Sequence, residues 1–393
     1  MSLLPPGDAA TLAQVARNGL LEVLGTDAAV IARAPGRVNL IGEHTDYNGG
    51  LVLPVALPHA TYAAAAPRAD SRIRIASGQQ EGVVESDLGR LGPEQLSGWA
   101  AYTAGVVWAL REAGVAVPGL DLYVDGTVPL GAGLSSSAAV ECSVAAAVAA
   151  LAGQAWDSPV DAELGRLVVA ACIRAETEVA GAPTGGMDQT VSVFAEAGTA
   201  LLIDFTTGAH QPVPLALGDR SVLVTDTRVS HKLTDGGYGA RRADCEKAAA
   251  ALGVRTLREA TLAAVEALGD DTVRRRARHI VTEIARVPSV VAALTRADWS
   301  ALGELFAASH ASMRDDFEIS TPELDLAVAT AVEAGADGAR MTGGGFGGSI
   351  VSVLPEEAVD QVCGSIDTAF AEAGYARPGH LLATPSAGVG LLG

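Results

Sequence analysis

Residues 128–153, VPLGAGLSSSAAVECSVAAAVAALAG, join a glycine-rich loop to a long alanine-rich helix. This junction limits the fold, because side chains so small favour close helix packing. Alanine carries much of the 49% hydrophobic share, and aromatic residues make up only 4%. The core is therefore expected to rest on packed helices and not on aromatic clusters. With 19% charged residues the chain reads as globular, with a sizeable core and no disorder. The apolar part of the helix is too short and too rich in alanine to span a bilayer.

The loop that opens this helix also has a chemical reading. Gly131 and Gly133 let the backbone approach a ligand closely and adopt positive φ. Ser135, Ser136 and Ser137 follow where the helix begins. There the first N–H groups lack internal partners and the helix dipole is positive. Such a place binds phosphate, and serine hydroxyls add donors or a ligand for Mg²⁺. A single serine would be an ordinary N-cap; three after two glycines and a leucine leave cap and phosphate readings in balance. No lysine follows Gly133, so this is not a Walker loop, and the protein-kinase set is absent too. A nucleotide here would be held by backbone dipoles.

Hydrophobic patterning places the rest. Residues 11–24, 99–114, 161–181 and 322–334 read as helices. Residues 72–77, 120–126, 199–205 and 221–227 read as strands, as do the stretches around Pro54 and Pro58, which are expected to break them. Residues 237–312 are almost wholly helical, and 339–354 form a strand, a glycine turn and a strand. At about 100–200 residues per domain, 393 residues suggest two domains. The expectation is an α+β chain of two lobes, 1–200 and 201–393.

Composition narrows the partners. The net charge of −19 repels nucleic acid and anionic membranes, so neither is expected as a partner. Cys142, Cys172, Cys245 and Cys363 show no metal-ligand or disulfide spacing and read as buried free thiols in a reducing compartment. The N-terminus lacks the basic segment of a signal peptide. A soluble, cytoplasmic monomer is expected.

Three further stretches carry chemistry. TGGGFGG, residues 342–348, holds more glycine than a hairpin turn needs, which suggests close backbone approach to a ligand. Asp188 follows a Gly/Pro loop, with Glu176 and Glu178 on the preceding helix. Each alone reads as a cap or a solvated carboxylate, yet a Mg²⁺·ATP site needs at least one carboxylate. GRVNLIGEHTDYNGG, residues 36–50, gathers Arg37, Glu43, His44, Asp46 and Tyr47 between two apolar runs. Carboxylates accept from vicinal hydroxyls while His and Arg donate, so the cluster suits a small, uncharged, hydroxyl-rich ligand. The bland alternative is a polar turn with local salt bridges.

GRVNLIGEHTDYNGG resembles the signature of galactokinases, within the GHMP small-molecule kinase superfamily. PLGAGLSSSAA resembles that superfamily's ATP loop and TGGGFGGS its third motif. The resemblance spans nearly the whole chain. It implies a two-lobed fold, with a mixed sheet and helices in the N-terminal lobe. The C-terminal lobe would be helix-rich with an antiparallel sheet, and sugar and nucleotide would meet in the cleft. It implies ATP and Mg²⁺, with transfer of the γ-phosphoryl group to the 1-hydroxyl of galactose. Asp188 would be the base and Arg37 the cation beside it. Glu43, His44, Asp46, Gly185 and Tyr238 would hold the sugar. Gly131, Ala132, Gly133, Leu134, Ser135, Ser136 and Ser137 would form the phosphate loop. Ser136 or Ser137, with Glu176, would hold magnesium. Ala132 stands where many members carry glycine. Trp99 and Trp108 lie in the region of the adenine pocket. The alternatives are a kinase for N-acetylgalactosamine or arabinose, and a non-catalytic sugar and ATP sensor. Mevalonate or homoserine kinases are disfavoured, because their carboxylate substrates want more cationic residues than one Arg.

Overall fold

The computed structural model describes residues 3–156, 160–229 and 237–392. The first lobe rests on a mixed sheet of six strands: β1 (Val30–Asn39), β3 (Pro54–Arg68), β4 (Arg72–Ser77), β5 (Val84–Asp87), β6 (Gly119–Gly126) and β13 (Gly390–Leu392). Their order is β13-β1-β3-β6-β4-β5, and only the β4–β6 pair is parallel. Helices α2 (Ala100–Glu112), α3 (Ser136–Leu151), α4 (Ala162–Arg174) and α5 (Met187–Phe194) cover one face. Helix α1 (Ala9–Leu24) covers the other. The alanines of α3 are almost all buried against β1 and β3, as the small-residue pattern anticipates.

The second lobe carries an antiparallel sheet of β9 (Arg220–Asp226), β10 (Gly338–Thr342), β11 (Ser349–Pro355) and β12 (Gly379–Leu382), in the order β10-β11-β9-β12. Around it pack α6 (Gly237–Leu252), α7 (Leu262–Glu266), α8 (Asp271–Arg296), α9 (Trp299–Ala311), α10 (Pro322–Glu333) and α11 (Val359–Ala373). A third sheet, β2 (Leu51–Val52), β7 (Thr199–Asp204) and β8 (Ala209–Pro214), lies where the chain passes between lobes. The final strand, β13, returns to pair with β1 in the first sheet. All four cysteines are buried and free, and no helix among the described residues is long and apolar enough to cross a membrane.

Two local expectations are corrected. Strand β3 runs unbroken through Pro58. The β1–β3 register shifts between Pro35 and Arg37, with Ala60 opposite Pro35 and Ala56 opposite Arg37. Pro58 falls inside that bulge, where no ladder N–H is required. The helix read over 161–181 ends at Arg174 and continues as one π turn, Ala175–Val179.

One buried ionic network joins the lobes. Arg340 of β10 is fully buried and pairs with Glu43. Its Nη1 donates to the Leu40 carbonyl at 2.9 Å, and its Nε donates to Ser309 Oγ at 3.2 Å. Glu283 of α8 lies 3.4 Å from Arg340 Nη2 and accepts from the Gly42 N–H at 3.1 Å. Removing one partner of such a buried set leaves a charge uncompensated. Arg340→Met is therefore expected to cost about 3–5 kcal/mol in denaturant unfolding, and a change within error would show that the network contributes nothing to holding the lobes.

Candidate active site

A cavity of about 600 Å³ opens between the lobes. One wall is the start of α3. Gly131, Gly133 and Ser135 have φ of 75°, 71° and 59°, so the loop turns back on itself before the helix. Gly131, Gly133, Leu134, Ser135, Ser136 and Ser137 line the cavity. Ala132 does not: it is buried, and its carbonyl accepts from Ser349 Oγ at 2.7 Å. That bond ties the loop to the third motif. A Cβ on Gly343 would stand 3.1 Å from the Gly133 carbonyl, and one on Gly348 would stand 3.2 Å from the Ala132 carbonyl. The two glycine motifs thus meet main chain to main chain. Only Gly343 and Gly344 of the third motif reach the cavity.

The charged centre lies beneath this loop. Arg37, 6% exposed, holds Asp188 through two bonds, Nε to Oδ1 at 2.7 Å and Nη2 to Oδ2 at 2.9 Å. Its Nη1 donates to the Gly133 carbonyl at 2.6 Å. Ser135 Oγ donates to Asp188 Oδ2 at 2.5 Å. Asp188 sits in the first turn of α5, where the helix dipole favours an anion. The sequence singles out both residues, and the fold brings them together across 151 positions.

Glu176 reaches the same region from the π turn, an element often found at functional sites. It is 6% exposed and receives a bond from Gln189 Nε2 at 2.6 Å. Burial first, and then the charge of Asp188, push its carboxyl well above the usual carboxylate range, while bonds from Gln189 and Ser137 pull it down. Glu178 instead pairs outward with Arg174 at 2.7 Å.

The opposite wall is the 36–50 motif. Asp46 opens onto the cavity, and burial pushes its carboxyl up to about 6 against the Tyr47 N–H, with the charge of Asp188 adding to the rise. Gly185 is set behind it, not on the cavity wall. A Cβ there would lie 1.9 Å from Asp46 Oδ2, so the glycine makes room for that carboxylate. His44 adopts φ 62°. Its Nε2 lies 3.1 Å from the Gly344 carbonyl and so carries the proton. Its Nδ1 then accepts from the Tyr47 hydroxyl at 2.7 Å. Burial lowers the imidazole to about 3, so it is neutral at ordinary pH. Tyr238 lies against the ring, with centroids 5.0 Å apart, and lines the cavity. Glu43 lines it too, while its oxygens are taken by Arg340, Thr342 Oγ1 and the Gly343 N–H.

The cavity continues past Leu130 to Ser77, Gln79, Trp99, Tyr102 and Asp125. Of the two tryptophans marked in the sequence, Trp99 faces it, while Trp108 lies under the Arg174 guanidinium at 4.7 Å. Tyr102 stands three residues after Trp99 on the same helical face, and that spacing is the one signal that could have found it. Ser77, Gln79 and Asp125 come from strands or their ends with ordinary alternation and carry no signal.

A serine-glycine loop at a helix start, facing a carboxylate gripped by arginine across a two-lobed cleft, defines a small-molecule kinase of the GHMP class. Family models agree: GHMP kinases N terminal domain matches residues 101–196, and GHMP kinases C terminal matches 290–372. The galactokinase galactose-binding signature matches residues 21–67. The chain is 48% identical to a galactokinase of Streptomyces coelicolor, over 93% of this chain and 95% of that one. It is 40% identical to a galactokinase of Bos taurus, over 88% and 89%. The crystal structure of Lactococcus lactis galactokinase complexed with galactose superposes with a TM-score of 0.90 at 31% identity, covering 97% of this chain and all of that one. The chain belongs to the galactokinase family. A mevalonate kinase at 16% identity and a TM-score of 0.64 shares the fold alone.

The raised Asp46 carboxyl makes stability depend on pH. Its ordinary value is 3.8 and its folded value is about 6, so between these the native state binds more protons than the unfolded state. Stability contributed by the neutral form is full below about 4 and is lost as pH rises towards 6. In thermal melts of the ligand-free protein, the melting temperature of Asp46→Asn relative to wild type should rise across that window and level off above it. A flat difference would refute the burial effect.

Proposed function

We propose that this chain transfers the γ-phosphoryl group of ATP to the anomeric 1-hydroxyl of α-D-galactose, giving galactose 1-phosphate and ADP. The observation that carries this reading is the place of Asp188. It stands between the hydroxyl-binding motif and the phosphate loop, held by Arg37 on one side and Ser135 on the other.

The sugar lies with its reducing end towards Asp188. Asp46 offers an open carboxylate to vicinal hydroxyls, and Tyr238 flanks them. Glu43 and His44 also line the cavity, with polar atoms engaged by Arg340 and Gly344, while Gly185 makes room for Asp46 from behind. The phosphates rest on the N–H groups at the start of α3. The nucleoside end extends towards Trp99 and Tyr102.

Phosphoryl transfer asks mainly for alignment and charge stabilisation. Asp188 accepts the proton of the attacking hydroxyl. The bidentate guanidinium offsets the charge of Asp188 and lowers the proton affinity of the hydroxyl. The residues present also fit Mg²⁺. Glu176 is a buried carboxylate whose bonds are to neutral groups, Gln189 and Ser137, so a cation would supply the charge it lacks. Mg²⁺ takes one or two protein oxygens and completes its shell with phosphates and water. Glu176 with Ser137 or Ser136 would hold it, and the bound ion would supply positive charge to the phosphate oxygens.

Two measurements test the reading. In an ADP-coupled assay with ATP and Mg²⁺, a panel of sugars should rank galactose first in kcat/KM; a first place for N-acetylgalactosamine or arabinose would reassign the substrate. Asp188→Asn should lower kcat by about 10²–10⁴-fold while galactose still binds by calorimetry. Turnover at the wild-type rate in that variant would remove Asp188 from the base role.

A further inference from the structure

Behind the reacting groups lies a polar cluster that the mechanism above does not use. Gln189 follows Asp188 in α5 and is fully buried. Its amide nitrogen donates both hydrogens, to Glu176 Oε2 at 2.6 Å and to Glu141 Oε2 at 3.0 Å. Glu141 is fully buried and lies four residues after Ser137 in α3, on the face that Ser137 shares. Three elements thus converge on one amide: the phosphate helix, the π turn and the helix of the base.

A cluster kept only for stability would be fully satisfied, yet Glu141 Oε1 and Gln189 Oε1 have no hydrogen-bond partner among the described residues. In a core of alanine and valine, apolar residues of similar volume would suit the site better. We propose that Gln189, anchored on Glu141, is a positioning residue for Glu176 and fixes its carboxylate at the phosphate end of the cavity. The inference rests on the reading of Glu176 as the carboxylate that holds the divalent cation. Outer groups of this kind orient a ligand without touching the metal.

The test uses Mn²⁺ as probe and a non-hydrolysable ATP analogue. Calorimetry gives the analogue affinity with Mn²⁺ and with chelator, and the ratio is the metal-dependent gain. Gln189→Met should cut that gain about 10–100-fold while galactose affinity stays unchanged. Glu141→Met should also cut it, and Glu141→Gln, which keeps an acceptor for the amide, should restore it. Should Gln189→Met fold poorly, the contrast between the two Glu141 variants decides. Glu176→Gln separates the two ideas. If Glu176→Gln loses the gain while Gln189→Met and Glu141→Met keep it, the positioning role is overturned alone. If Glu176→Gln keeps the gain, the cation reading falls and takes this inference with it. A parallel loss of galactose affinity in Gln189→Met would mark the cluster as merely structural and overturn the proposal.

Discussion

An ionised guanidinium at the centre of a protein is tolerable only if its N–H groups find acceptors. Arg340 finds them on both sides of the lobe seam: Leu40 and Glu43 from the first lobe's motif, Ser309 and Glu283 from α9 and α8. His279 of α8 adds a contact at 3.3 Å to the Glu43 carbonyl. The stretch that presents Asp46 to the cavity is thus pinned from behind by the other lobe. Site geometry depends on this seam, because neither lobe alone holds the cavity wall in place.

The second requirement is to bring several carboxylates together without letting them repel one another out of position. Asp188 is neutralised by Arg37 and placed at a helix start. Asp46 and Glu176 have no ion pair among the described residues, and burial raises both carboxyls. The arrangement pairs one carboxylate with a cation and leaves two whose charge burial disfavours.

What the sequence disclosed follows from how local each feature is. The 36–50 motif, the serine loop and the third glycine motif are contiguous, so they stand out in the sequence and carry the family resemblance. The α3 alanine run foretold tight packing correctly, yet it hid Glu141, which looks like a stray charge until Gln189 and Glu176 are brought to it. Pro58 was misread because its tolerance depends on a register shift against a partner strand, which no single strand encodes. The roles of Glu43 and His44 were legible as polar, but not their orientation, since Arg340 lies 297 positions from Glu43 and Gly344 lies 300 from His44. The far end of the cavity stayed invisible because it borrows single residues from β4, β6 and α2.

The contact between the two glycine motifs has a consequence for how this protein can change. Where backbone touches backbone, no rotamer can shift to absorb an added side chain. The seam between the two glycine motifs is therefore closed to gradual substitution. The cavity wall opposite is built from side chains around Asp46 and Tyr238. A change in what the cavity accepts can come from remodelling that wall, with the backbone seam carried along unaltered.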